Sequence, residues 1–394
     1  MCLRSIYRFI SAATERGTLR GSRRRMQAFR FKVYEAFLVY PPGQEVHTAA
    51  SGHVAALHEV FAEIEDRETG LLGVGEVRAN IAFITGTPEA EVAPRVIALL
   101  QMLAGSPTHP ALASGFADIR DRFPKISQAV VENALVDLEA KRRGVTAAEL
   151  LGGTWRASLP CNQCVFWGTD EAMEVNFDSY LAQGFRKVKL RVGIGTIDDD
   201  VRRLRWMRER AGPTLDLSAD ANGAWSADMA LANIDRLRRF DITYVEQPTR
   251  KGDWDGLERV ARESGIDVMI DEGLQTDDDV ARVCANKGRI SAHLKIAKAG
   301  GAAALVAIGR RFDRNGVSYV MGQMNEGALA TAIAVQAGMA LKPRVGELYG
   351  ALGILNDPGD GVTYGPGSVS VARRPGAGSN LRYDRLSLLW DSEA

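Results

Sequence analysis

The run GFRKVKLRVG, residues 184–193, sets the pattern for the larger part of the chain. Polar and apolar residues alternate in it. Lys187, Lys189 and Arg191 therefore share one face of a β-strand, opposite Val188, Leu190 and Val192. An amphipathic helical stretch follows, DDDVRRLRWMRERAG, and then another short strand, TLDLSAD. The unit recurs downstream in ITYVEQ, DVMIDE, ISAHLKI and VSYVMGQ, with SLPCNQCVFW ahead of them. Helical stretches such as SADMALANIDRLRRF, WDGLERVARESG and GAAALVAIGRRFDRNG lie between. Successive strands begin roughly 25 residues apart, the length of one βα unit, and seven or eight such units close a parallel barrel.

Outward from this region the pattern changes. From Met26 to about Ala50 apolar and polar residues alternate, and a Gly/Pro-containing turn, PPGQEVHTAASG, interrupts them. EVFAEIED and LLGVGEV continue an antiparallel meander, and residues 88–150 then take up helical periodicity. Strands followed by helices indicate an α+β unit. The expected organisation is a basic extension over 1–25, an α+β capping domain over 26–150, and a (β/α) barrel over 151–350. A Gly/Pro-rich segment over 351–394 should return to the first domain. The extension carries seven arginines against Glu15. A transit peptide would read this way. So would a start codon placed too early, and because Met26 opens the first strand-like run this second explanation is preferred.

Lys+Arg and Asp+Glu are both 49, so the formal net charge is zero. That balance argues against nucleic acid or an anionic membrane as the main partner. No apolar run approaches the 18 or so residues of a membrane span. Cys2, Cys161, Cys164 and Cys284 are too few and scattered for a disulfide framework, which fits a reducing cytoplasm. Cys161 and Cys164 form a lone CxxC in a strand-like stretch, read as buried thiols in preference to a zinc or redox pair.

Enzymes on barrels place their sites at the C-terminal strand ends. Here those ends carry Lys189 and Arg191, Asp220 and Asn222, Glu246 and Gln247, Asp271 and Glu272, Lys295, then Gln323, Asn325 and Glu326. Asp220 to Glu246 is 26 residues and Glu246 to Asp271 is 25. Three carboxylates on neighbouring strands repel unless a cation lies among them, and hard oxygen ligands suit Mg²⁺. Helix capping is the plainer use of such acids. His293 and Lys295 share a face, and a lysine pointing into a barrel needs an anion or a chemical task. Asn222, Gln247 and Glu272 are candidate supports for the ligands. Gln323, Asn325 and Glu326 could hold a substrate carboxylate or orient Lys295, and Trp167 could wall a pocket.

The order Lys-x-Arg, Asp, Glu, Asp, Lys-x-x-Lys-x-Gly-Gly resembles the enolase superfamily, most closely its muconate-lactonizing subgroup, which also holds dipeptide epimerases and succinylbenzoate synthases. The resemblance runs over about residues 27–385. It includes ENALVDLEAKRRG and ELLGG, the segments DLSADANGAW, YVEQP, IDEG and LKIAKAGG, and the later GPG and PGAG. It implies Mg²⁺ on Asp220, Glu246 and Asp271, Lys295 as acid/base, a small carboxylate substrate and a multimer. One departure stands out: Lys189-Leu190-Arg191 replaces the usual Lys-x-Lys, whose second lysine is the partner base. Arginine stays protonated and is a poor base, but it grips carboxylates and enolate oxygens well. The expected reaction is therefore removal of an α-proton followed by β-elimination or cycloisomerisation. A racemase or epimerase using Lys189, and a metal-binding member without catalysis, are the alternatives. Loops near Pro41–Ala50 and Asn80–Gly86, with His47, Thr48, Phe83 and Thr85, should set the substrate.

Overall fold

The computed structural model describes residues 27–394; the expectation for residues 1–25 lies outside them. The cap begins with three long antiparallel strands, β1 (Phe29–Leu38), β4 (Leu57–Asp66) and β5 (Leu71–Arg78), with a small hairpin of β2 (Val46–Thr48) and β3 (Gly52–Val54) between the first two. Helices over Glu89–Leu103, His109–Ile119 and Lys125–Arg143 follow. The last of these lies on β4 and β5, and every residue from Ile126 to Ala140 in it is buried. Its backbone comes so close that a Cβ on Gly73 or Gly75 would meet Ala134 O at 2.3 Å or Val130 O at 2.0 Å. LLGVGEVR thus spends two side chains to let a helix dock on the strand.

A short strand β6 (Leu159–Pro160) leads into the barrel. Its eight parallel strands are β7 (Gln163–Val165), β8 (Lys187–Arg191), β9 (Asp216–Asp220), β10 (Ile242–Glu246), β11 (Asp267–Ile270), β12 (Ile290–Lys295), β13 (Tyr319–Gly322) and β14 (Gly346–Glu347), in that order around the sheet. A bridge between Cys161 and Gly346, with Asn162 N donating to Gly346 O at 3.0 Å, joins the first and last strands. Cys161 and Cys164 are free thiols in this seam. Burial pushes both up, Cys161 to about 12, so they are protonated packing groups.

After β14 a hairpin of β15 (Val362–Gly365) and β16 (Ser368–Val371) pairs with β6. The chain then returns to the cap, where β17 (Ser387–Asp391) adds to β1. Cap and barrel are also joined at the loop after β12. Glu132 accepts from Ala303 N at 3.0 Å and Ala304 N at 3.3 Å, capping the helix Ala302–Asn315. Gly301, at φ +133°, faces that carboxylate so closely that a Cβ would sit 1.7 Å from Glu132 Oε2. The Gly-Gly of LKIAKAGG is the space for this contact. No helix among the described residues is long and apolar enough to cross a membrane.

Candidate active site

Strand register brings the predicted groups level at one end of the barrel. Arg191 pairs across to Asp220, and Asp220 to Glu246. On the other side Lys295 is level with Gly322, and Gly322 with Glu347. β8 and β12 are the second and sixth of eight strands, so Arg191 and Lys295 face each other across the mouth. Above them lies a cavity of about 400 Å³. Its barrel side is Phe166, Arg191, Asn222, Asp271, Glu272, Lys295, Gln323, Met324 and Asn325; the cap supplies Val46, Thr48, Ser51, Arg78, Phe83 and Ile84. Thr48 and Phe83 of the anticipated loops are thus on the wall, whereas His47 and Thr85 are not. Trp167 is outside it too: Arg203 stacks on its ring at 4.1 Å, and it lines a neighbouring cavity of about 590 Å³ with Tyr40 and Gln44.

The acids at the mouth are held by cations. Lys295 Nζ donates to Asp271 Oδ2 and Lys298 Nζ to Asp271 Oδ1, each at 2.6 Å. Burial works against ionised Asp271, but these two ammonium groups outweigh it and hold the carboxyl below the usual range. Arg191 donates to Asp220 and, through Nε, to Cys164 Sγ at 3.1 Å. Beneath the mouth, Lys189 Nζ is 2.9 Å from Glu246 Oε2, 2.7 Å from Glu347 Oε1 and 3.4 Å from Asp220 Oδ2. Burial disfavours this ammonium, yet Glu246 and Glu347 raise its pKa above the ordinary lysine value. It is 0% exposed and absent from the cavity wall. His293 lies on the same inner layer, its Nδ1 2.8 Å from Glu246 Oε1. Burial keeps its imidazole neutral, and it braces Glu246 without reaching the cavity.

The residues after the strands do positioning work. Asn222, Gln247 and Asn325 have φ of 45°, 35° and 57°, a left-handed geometry that non-glycine residues seldom adopt away from sites. Gln247 Oε1 accepts from Asp271 N at 2.9 Å and Gly273 N at 3.1 Å, fixing the turn that carries Asp271. Asn222 Nδ2 donates to Glu272 Oε1 at 3.0 Å. Gln323 Nε2 bonds Thr331 Oγ1 at 3.0 Å, and Asn325 Nδ2 reaches Tyr40 OH at 3.3 Å. Glu326 turns away from the cavity to accept from Met324 N at 3.2 Å.

The sequence reading missed three groups. Glu347 lies 25 residues beyond Gly322, a repeat of the barrel spacing that would have found it. Lys298 stands in LKIAKAGG, one helical turn past Lys295. Arg78 ends β5 in the cap and carries no motif.

For a divalent cation, the donor chemistry fits. Asp220, Glu246 and Asp271 are 0–1% exposed, and neighbouring cations outweigh burial to keep Glu246 and Asp271 ionised. The trio is nevertheless spread across Arg191, Lys189, Lys295 and Lys298. Among the described residues, the donors within 4.8 Å of one another are instead those of Glu246, His293 and Glu347. Lys189 already occupies the side of that group with a positive charge.

Residues 172–385 match the model of the family "Enolase C-terminal domain-like". The chain belongs to that family. It is similar to the L-Ala-D/L-Glu epimerase of Bacillus subtilis, with 30% identity over 64% of this chain and 70% of the relative. Muconate cycloisomerase 1 of Pseudomonas putida is 26% identical over 81% of this chain and 87% of its own length. The substrate-liganded structure of the Bacillus subtilis epimerase superposes with a TM-score of 0.82 at 25% identity, covering 90% of this chain and 99% of that one. These relatives are isomerases of the enolase superfamily, and the present barrel with its strand-and-helix cap is the same architecture.

Proposed function

We propose that this protein removes the proton α to the carboxylate of a small substrate, using Mg²⁺, and carries the resulting enolate on to β-elimination or cycloisomerisation. The observation that carries the reading is the facing pair on the cavity wall, Lys295 on β12 and Arg191 on β8. Lys295 takes the proton from one face and can return it there or hand it to a leaving group. Arg191, always protonated, holds the substrate carboxylate from the opposite face. Asp220, Glu246 and Asp271 would hold Mg²⁺, which when bound supplies Lewis-acid stabilisation of the charge that develops on the carboxylate oxygens. Asp271 orients Lys295 through their 2.6 Å bond, and Gln247 orients Asp271. The apolar part of the wall, from Val46, Phe83, Ile84, Phe166 and Met324, excludes water from the reacting centre.

Epimerisation is the second reading, favoured by the 30% identity to an epimerase. It needs a base opposite Lys295. Lys189 is ill placed for that, clamped between Glu246 and Glu347 and off the cavity wall.

The deciding experiment is α-proton exchange in D₂O with Mg²⁺ across a panel of carboxylates. One-face exchange that needs Mg²⁺ and disappears in Lys295→Ala supports the proposal; inversion at the α-carbon in the wild type rejects it in favour of epimerisation. Arg191→Lys places a second titratable amine opposite Lys295 and should add inversion where the wild type has none.

A further inference from the structure

The cap contributes one charged side chain to the cavity, and it is unlike every cation at the barrel mouth. Arg78 is 1% exposed, among the largest fully buried side chains of the protein. Its Nε donates to Asn80 Oδ1 and its Nη1 to Met324 O, both at 2.7 Å. Its Nη2 has no hydrogen-bond partner. Among the described residues no carboxylate oxygen lies within the 4.0 Å of an ion pair with it. By contrast, Arg191 and Lys295, on the same wall, are each paired with an aspartate.

A buried guanidinium held by a backbone carbonyl and an amide, with a donor left over, is costly unless an anion completes it. The nearest acids do not do so. Glu59 and Glu326 both influence Arg78, but burial pushes each of them up, toward the neutral acid. Two of the five N–H donors are fixed by Asn80 and Met324, which sets the plane of the fork and leaves Nη2 unpartnered on a side chain that lines the space between cap and barrel.

We propose that Arg78 binds a second anionic group of the substrate, a distal carboxylate, so that the cavity takes dianionic acids in preference to monoanionic ones. This rests on the reading that the reacting carboxylate sits at Arg191 and Lys295. It adds that the substrate reaches from there to the cap and that Arg78 selects it without taking part in proton transfer.

The test is calorimetric binding in the presence of Mg²⁺, with glutarate against valerate and adipate against hexanoate. Each pair shares a chain length and differs by one carboxylate. In the wild type at least one diacid should bind about 10-fold or more tightly than its monoacid, the range of a charge-assisted hydrogen bond. Arg78→Met should bring that diacid down to the monoacid level and leave the monoacid unchanged, while Arg78→Lys should recover part of the preference. Equal binding of diacids and monoacids by the wild type overturns the inference, and this arm needs no folded variant. Equal weakening of both acids in Arg78→Met overturns it as well, since Arg78 would then serve the reacting carboxylate or the fold. Because binding is read without turnover, the outcome is separate from the exchange experiment. A diacid preference without Mg²⁺-dependent exchange rejects the reaction and keeps the second anion site. Exchange without the preference does the reverse.

Discussion

Two buried clusters of acids lie within the same molecule and follow opposite rules. Inside the barrel mouth, Asp220, Glu246, Asp271 and Glu347 each touch a lysine or arginine. Where cap meets barrel, Glu59, Glu76, Glu326 and Asp357 lie near one another and none is ion-paired among the described residues. Neither oxygen of Glu59 has a partner, although the side chain is fully buried. Glu76 accepts from Ala330 N at 2.6 Å, and Asp357 from Ala328 N at 2.8 Å and Gly359 N at 2.7 Å. Desolvation is the leading influence in both places. In the mouth, close cations outweigh it and Glu246, Asp271 and Glu347 stay ionised. At the seam like charges add to it, and Glu59 and Glu76 are pushed well above the usual carboxylate range. The same residue type is an anion for chemistry in one cluster and a neutral packing group in the other.

The largest effect should come from breaking the mouth. Lys295→Ala is expected to lower exchange by roughly 10²- to 10⁴-fold, the contribution of a positioned acid/base, with the fold intact by circular dichroism. Next is Lys189→Met, which takes away the ammonium that Glu246 and Glu347 share and leaves Glu246 on the neutral His293 and Glu347 on Arg191 at 3.7 Å. A cost of about 3–5 kcal/mol in urea unfolding is expected for an uncompensated buried charge. The seam should behave the other way. Glu59→Gln replaces a neutral acid by a neutral amide and should cost nothing near pH 4. An acid whose folded pKa is raised is protonated in both states at low pH. It begins to destabilise as pH climbs through the unfolded value of ~4.3 and goes on doing so up to the folded value. At pH 8 the variant should therefore be the more stable by at least ~1 kcal/mol. A variant no more stable than wild type at that pH would show that Glu59 is ionised in place. The smallest effect belongs to Trp167→Phe. Loss of the indole under Arg203 should cost under about 1 kcal/mol and leave exchange unchanged, because Trp167 is off the reaction cavity.

The same contrast shows what a sequence discloses. Mouth residues were legible because the barrel repeats itself: each strand end recurs at nearly one spacing, so a charged residue there announces its partners. The rule weakens where the strand is too short to show a pattern. β14 has two residues, and Glu347 was lost with it. The seam has no period to follow. Glu59, Glu76 and Arg78 sit on cap strands whose alternation reads as solvent-facing polar residues, and only the docking of the barrel buries them. That Lys189 is an enclosed clamp and not a free amine also depends on where Glu347 arrives. The hairpin of β2 and β3 lies in a stretch that reads as a plain turn, although its place over the mouth was legible and Thr48 is on the wall.

The pairing of β17 with β1 also governs the order of events at the ribosome. Arg30 and Asp391, joined across that pair at 3.0 Å, are 361 residues apart in sequence. At 5–20 residues per second, translation of that interval takes roughly 20–70 s. During that time β1 has β4 on one side and an open edge on the other, a ready template for pairing with another chain. The barrel can close before the cap sheet does, so the last step of folding is the arrival of a strand that seals the first one made.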